Sequence, residues 1–349
     1  MPTPKCLLIY PEENTFVLKD INAIQNLGTQ VIPLQNKPTK NPILFTYRQF
    51  LLGVAVLQHM PTSQQLICWF ADYHSFVPLL LARFWKRNSL VIVGGFDAVS
   101  DRANKYGIFR KKGVRQWVAR WSFRLAKRIW VVDASLREGC PFAKERDAIE
   151  SGLLYWMPSL ANKIEVVPTG YDPDFWKPMR PPQKSTMITV ASISSRQVIT
   201  RKGILSFIEL AKATPNWSFT IVGDAKGLVT QLPGLPENVT VMGRKSKMEL
   251  VELYSKSQVY FQASRIEGLP NVLCEAMLCG CIPMGQKTFG IPEAIGPTGP
   301  LFDNRNDIES IQKQLLEINQ FNSEAPRERI IDKYHQEKRK IKLKQLLNL

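Results

Sequence analysis

A chain of 349 residues is longer than one ordinary hydrophobic core supports, and its length predicts two domains. Its 46 Lys and Arg against 30 Asp and Glu leave a net charge of +16, which calls for an anionic partner: a charged substrate, membrane lipid or nucleic acid, a choice that composition leaves open. The six cysteines, Cys6, Cys68, Cys140, Cys274, Cys279 and Cys281, have no paired metal-ligand spacing; they read as small core residues kept reduced, which predicts a cytosolic compartment.

Short apolar runs alternate with helical patterns along the whole chain, an order that predicts parallel sheets covered by helices. The first run, Cys6 to Tyr10, is too short for a signal peptide, and no stretch approaches the ~18 apolar residues that span a bilayer. The protein is therefore expected to touch a membrane but not to cross one. Candidate strands in the first half are 7–10, 31–34, 66–70, 90–93, 129–132 and 164–167. The turn after the first strand, residues 10–15, holds no glycine, so it offers no backbone cradle for a phosphate. Asp72 and His74 follow the third strand; His74 reads equally as a cleft residue or as a satisfied loop histidine. Gly94, Gly95, Phe96 and Asp97 follow the fourth.

Residues 102–128 hold ten Lys or Arg and no Asp or Glu. Val114, Trp117, Val118, Trp121 and Leu125 recur there at helical spacing, which predicts an amphipathic helix with a cationic face. Such a helix suits an anionic membrane surface, although its apolar side also suits the sheet. A Pro-rich stretch, Pro173 to Pro182, then separates an N-terminal domain, 1–170, from a C-terminal domain, 171–330. Strands 187–191, 218–222, 239–242, 259–262 and 281–284 follow. Ser246 and Glu249 form a capping-box pattern, and the chain ends in another basic helical pattern.

Glu267 and Glu275, eight apart, flank a turn that opens into a helix. Gly268 and Pro270 punctuate the loop, Asn271 is a good N-cap, and Gly280 stops the helix near Cys279. Asn271 and Glu275 are four apart and share one face, expected to point outward, while Leu273, Ala276, Met277 and Gly280 point inward. A carboxylate accepts two hydroxyl hydrogen bonds, so Glu275 suits a ribose and Glu267 a sugar ring, with the free N-H groups of the helix start between them for phosphate.

The segment resembles the retaining glycosyltransferase family 4. Its mark, Glu-x7-Glu followed by Ala276-Met277 and a Gly-x-Pro strand, appears here at Glu267, Glu275 and Gly280-Cys281-Ile282-Pro283. The resemblance extends through Gly290-Ile291-Pro292-Glu293, Gly223-Asp224, Val166 to Asp172 with Phe175 and Pro178, and Arg196 with Arg201-Lys202-Gly203. It implies an α/β GT-B architecture, two Rossmann-like domains facing across a cleft, with the C-terminal helix (about 331–349) completing the first. It also implies a retaining, metal-independent transfer from a UDP- or GDP-sugar to a glycan or lipid-linked acceptor, as in cell-surface polysaccharide or lipopolysaccharide synthesis at the cytoplasmic membrane face.

In that resemblance Arg196 and Lys202 hold the donor diphosphate and Glu267 orients the donor sugar. Glu275, Gly268, Leu269, Asn271 and Gly223 contact the nucleotide, and Gly243, Arg244 and Lys245 neighbour its base. Asp97 stands where many relatives place a His beside the donor sugar. No Asp-x-Asp metal motif appears, and nucleic acid is the disfavoured partner. A GT-B epimerase or phosphorylase, or an inactive polyanion-binding relative, are the alternatives; the first two lack their acid-base or cofactor-lysine motifs.

Overall fold

A computed structural model describes residues 3–348, which form two α/β units. In the first, β1 (Lys5–Tyr10), α1 (Thr15–Asn26), β2 (Gln30–Gln35), α2 (Pro42–His59), β3 (Gln65–Trp69), α3 (Tyr73–Phe84) and β4 (Asn88–Val93) alternate regularly. They are followed by β5 (Val99–Ser100), α4 (Val114–Leu125), β6 (Arg128–Val131), α5 (Ser135–Glu138), α6 (Pro141–Asp147), β7 (Glu150–Ser151), α7 (Leu153–Trp156) and β8 (Ile164–Val166). The sheet order is β2-β1-β3-β4-β6-β8, parallel throughout, and β5 and β7 form a separate antiparallel pair. Strand β3 is buried at every position, as befits a parallel strand covered on both faces.

The second unit contains β9 (Gln183–Val190), α8 (Arg196–Lys202), α9 (Ile204–Ala213), β10 (Ser218–Val222), β11 (Val239–Met242), α10 (Lys247–Lys256) and β12 (Ser257–Gln262). Next come α11 (Asn271–Leu278), β13 (Ile282–Gln286), α12 (Ile291–Ile295), β14 (Leu301–Phe302), α13 (Ile308–Leu316) and α14 (Ala325–Tyr334). Its sheet, β11-β10-β9-β12-β13-β14, is again all parallel. Phe207 packs on Phe219 and Phe261, and Phe261 stacks on Phe302, with centroids 5.1 to 5.6 Å apart, so one aromatic column ties α9 to three strands.

The units are not consecutive halves of the chain. The first comprises residues 1–140, 148–170 and 336–349; the second comprises 141–147 and 171–335. Helix α15 (Gln336–Leu347) belongs to the first unit, whereas α14, whose last residues fall in the range 331–349 expected to join it, lies in the second. Arg339 of α15 holds Asp20 through both carboxylate oxygens at 3.0 and 2.7 Å, donates to the Val167 carbonyl at 2.9 Å, and lies against the Trp130 and Trp69 rings. Segment 141–147 groups with the second unit: Asp147 accepts from Arg265 at 2.6 Å and lies 3.9 Å from Arg305, and Arg146 donates to the Lys287 carbonyl at 3.4 Å.

The basic helix expected across 102–128 is shorter: only α4 is helical, preceded by turns and a 3-10 turn at Ile108–Arg110. Glycines at 107 and 113, both with positive φ, keep the chain out of helix before α4. The apolar stripe divides. Val118 and Leu125 are buried, while Val114, Trp117 and Trp121 are exposed. All six cysteines are buried thiols, and burial pushes the Cys279 thiol up to about 12.

Candidate functional site

In the second unit the carboxyl ends of β9, β10 and β11 are drawn together at Gly223. Its φ of +109° and the lack of room for a side chain beside the Ala191 carbonyl require glycine, and its N-H donates to the Met242 carbonyl at 2.9 Å. Asp224 is buried and caps the next turn, accepting from the Leu228 and Val229 amides at 2.8 Å each.

Helix α8 opens at the exposed Arg196 and closes at Lys202, whose ammonium pairs with the Glu267 carboxylate. Gly203 then turns left-handed, with no space for a side chain against Ala263, and the Arg265 amide donates to the Arg201 carbonyl at 2.8 Å. The end of α8 is thereby welded to the loop after β12. Gln262 reaches Ser264 Oγ at 2.7 Å and Glu267 Oε1 at 3.2 Å. Burial works against ionisation of Glu267, but Lys202, Arg201 and Ser264 outweigh it and hold the carboxyl below its ordinary value. Burial also lowers the Lys202 ammonium, against the pull of Glu267.

Gly268, Leu269 and Pro270 are buried, and Pro270 rather than Asn271 is the N-cap of α11. The Asn271 side chain instead accepts a hydrogen bond from the Tyr171 hydroxyl at 2.9 Å. Glu275, expected on an outward face, is only 5% exposed, because α11 is buried all round from Leu273 to Leu278. Its charge is felt by two phenols: burial raises Tyr254 and Tyr260 well above their ordinary value, and Glu275 adds to both, with Glu267 adding at Tyr260. The two glutamates thus converge electrostatically on Tyr260.

Gly243 and Arg244 are exposed after β11. Lys245 is tied to Glu249 at 2.9 Å beside the capping box of α10, where Ser246 and Glu249 satisfy each other's backbone N-H groups. That bond turns Lys245 toward the helix start.

The first unit holds a cavity of about 720 Å³ beyond the carboxyl ends of β1 to β4, lined by Phe45, Phe70, Tyr73, Phe96 and Tyr106 among others. Asp72 N-caps α3 and is gripped in two-point fashion by Arg115, whose Nε lies 2.9 Å from Oδ1. His74 borders the cavity, but its ring nitrogen bonds the Trp69 carbonyl at 2.8 Å, and burial lowers it from its ordinary value. Asp97, expected beside a donor sugar, is fully buried. Its carboxylate accepts from the amides of Ala71 (3.1 Å), Gly94 (3.3 Å) and Gly95 (3.3 Å), so it braces the loops after β3 and β4. Burial raises it to about 7 despite those bonds.

Arg115 escaped the sequence reading because its partner lies 43 residues away, and nothing in a run of cations marks the one that is paired. Tyr171 escaped likewise, 100 residues from Asn271. Among the described residues no group of three or more His, Cys, Asp or Glu is placed to hold a metal ion.

Residues 178–337 match the family described as glycosyl transferases, group 1. The sucrose-phosphate synthase of Thermosynechococcus elongatus superposes with a TM-score of 0.74 at 16% identity, over 99% of this chain and 98% of that one. Anabaena HepE, solved with UDP and glucose, superposes with a TM-score of 0.71 at 15% identity, over 99% of both chains. The fold is GT-B. A curated GDP-mannose-dependent monoacylated alpha-(1-6)-phosphatidylinositol monomannoside mannosyltransferase of Corynebacterium glutamicum is 24% identical over 177 residues, 44% of this chain and 46% of the relative. The chain thus spans about half the length of the curated relative it matches. The matched residues of this GT-B protein include the Lys202–Glu267 pair, α11 and the Gly223 turn.

Proposed function

We propose that the protein is a retaining glycosyltransferase that moves a sugar from a nucleotide-sugar donor to a hydroxyl of a glycan or lipid-linked acceptor in cell-surface glycan synthesis. The observation that carries the reading is the largely buried pair of Lys202 with Glu267 in the loop after β12, just before the start of α11. The group 1 match over the same residues supports it, and the mannosyltransferase likeness, to a protein named for a phosphatidylinositol acceptor, supports a lipid-linked acceptor.

The bond between the anomeric carbon and the donor phosphate breaks as the acceptor oxygen bonds to that carbon from the same face. The acceptor proton passes to the leaving phosphate. Negative charge grows on the diphosphate, where Arg196, Lys202 and the N-terminal amides of α11 stabilise it without a metal. Glu267 orients the sugar and, being ionised, favours its developing positive charge. Glu275 takes the ribose hydroxyls; Gly268, Leu269 and Asn271 shape the loop between, and Gly243 and Arg244 neighbour the base. The acceptor enters the aromatic cavity of the first unit, where ring faces suit the C-H faces of sugars.

The test is a panel of nucleotide sugars with EDTA present, following release of nucleoside diphosphate from wild type, Glu275→Ala and Lys202→Ala. Slow hydrolysis of one donor, lost in both variants, supports the reading. Absence of turnover, with no donor raising the melting temperature, removes it.

A further inference from the structure

Between residues 14 and 132 the sequence has 17 Lys and Arg and only four carboxylates, Asp20, Asp72, Asp97 and Asp101. None of the four is free at the surface: Asp20 is buried on Arg339, Asp97 and Asp101 are buried, and Asp72 is held by Arg115. The solvent-facing charge of this part of the first unit is therefore of one sign.

The same region exposes apolar groups in one place. Helices α2, α3 and α4 each connect a strand to the next one in the same direction across the sheet, so right-handed crossovers put all three on one face, and α2 packs on α3 and α3 on α4. Helix α1 runs the opposite way and packs with α15 instead. On α2 only Leu52 and Val56 are buried; Ile43, Tyr47 and Phe50 stand out, Phe50 at 66% exposure. Phe84 of α3 is 77% exposed and Trp117 of α4 is 52% exposed, with Trp121 beside it at 6.0 Å. Arg83, Lys86, Lys111, Lys112, Arg124 and Lys127 are exposed in or beside α3 and α4, and Arg124 lies over the Trp121 ring. No helix among the described residues is long and apolar enough to cross a membrane.

We propose that the α2–α3–α4 face of the first unit lies on an anionic lipid bilayer, its aromatic and aliphatic side chains in the headgroup region and its cations on lipid phosphates. Charge complementarity favours that occupant over a second copy of the chain, whose matching face carries the same positive sign. Exposed Trp, Tyr and Phe among Lys and Arg are the side chains that settle at a lipid-water boundary. The cavity supplies a reason for the surface: Phe45 and Gln49 of α2, Tyr73 of α3 and Arg115 of α4 all line it. A lipid-borne acceptor would thus pass from the bilayer to the cavity along the same three helices. That delivery step rests on the transferase reading, whereas docking does not.

The test is co-sedimentation of the full chain with phosphatidylglycerol-rich vesicles and with phosphatidylcholine vesicles, without donor, at low and high salt. Binding to the anionic vesicles only, weakened by salt, is expected. Replacing Arg83, Lys86 or Arg124 by Ser should weaken it about fivefold per residue, the equivalent of ~1 kcal/mol for each cation near an anionic surface. Phe50→Glu with Trp117→Glu should weaken it more than Lys313→Glu, a control on the other unit that leaves binding unchanged. Should the double variant fold poorly, lipids brominated on their acyl chains give a second reading in wild type: they should quench tryptophan emission, and Trp117→Phe with Trp121→Phe should remove the effect. No binding to anionic vesicles, or no quenching, overturns the proposal. So does binding indifferent to the apolar substitutions and matched by a single-stranded polynucleotide, which would mark a polyanion surface. Docking without nucleotide-sugar turnover would remove the transfer reading alone.

Discussion

Lys202 and Glu267, 65 residues apart, form a largely buried ion pair that joins the end of α8 to the loop after β12. In the proposed reaction each has a task besides holding the other: Lys202 faces a leaving phosphate and Glu267 a sugar. Lys202→Ala should lower the rate of nucleoside diphosphate release by ~10²–10³, the usual loss for one donor to developing negative charge. Lys202→Arg should recover part of it. Steady-state kinetics on the donor found in the panel will show whether the loss falls on kcat.

The same pair sets an acid limit. Because the Glu267 carboxyl is held below its ordinary value in the folded chain, its contribution to stability is complete above the ordinary carboxylate range and lost as pH falls through the lowered value. Glu267→Gln should remove that part of the acid slope, read as melting temperature against pH.

Asp97 acts with the opposite sign. Its value rises from 3.8 to about 7 on folding, so the folded chain binds the extra proton across that window and stability falls as pH rises through it. The full difference corresponds to about 4 kcal/mol by the usual conversion of pKa to free energy. Asp97→Asn should flatten the urea midpoint between those limits. It should also loosen the loops after β3 and β4, since an amide offers one acceptor atom where the carboxylate serves three amides through two.

Asp147 is the shared carboxylate of Arg146, Arg265 and Arg305. Removing one partner from a buried ion pair typically costs about 3–5 kcal/mol because the opposite charge stays buried. Asp147→Ala should therefore lower the urea midpoint strongly and free segment 141–147 to proteases, whereas Glu145→Ala, on the same helix, should do neither.

Arg339 clasps Asp20 from 319 residues away and rests between two tryptophans. Arg339→Ala should release α15, seen as early proteolytic loss of residues 336–349 and a lower melting temperature. Arg339→Lys should recover little, since an ammonium cannot make the two-point contact or the ring stacking.

The twelve parallel strands of the two sheets are, but for the two-residue β14, legible in the sequence: each is a short apolar run, most completely so in inner strands such as β3 that are covered on both faces. Local motifs were legible for the same reason: Ser246 and Glu249 cap a helix within one turn, and Lys202, Gly203, Glu267 and Glu275 lie next to the strands and helices that aim them. Only tertiary structure decided which groups are buried and with whom. Helical spacing puts Glu275 on a polar face, but neighbouring elements cover α11 on every side. The stripe of α4 is one face in sequence, yet Val118 and Leu125 are buried while Trp117 stays outside. Asp97 follows a strand end like a site residue, but it is fully buried on the amides of Ala71, Gly94 and Gly95. Segment 141–147 joined the second unit through Arg265, 118 residues on from Asp147. A residue's type and spacing determine what it can do; the partners that reach it from distant parts of the chain decide which of those things it does.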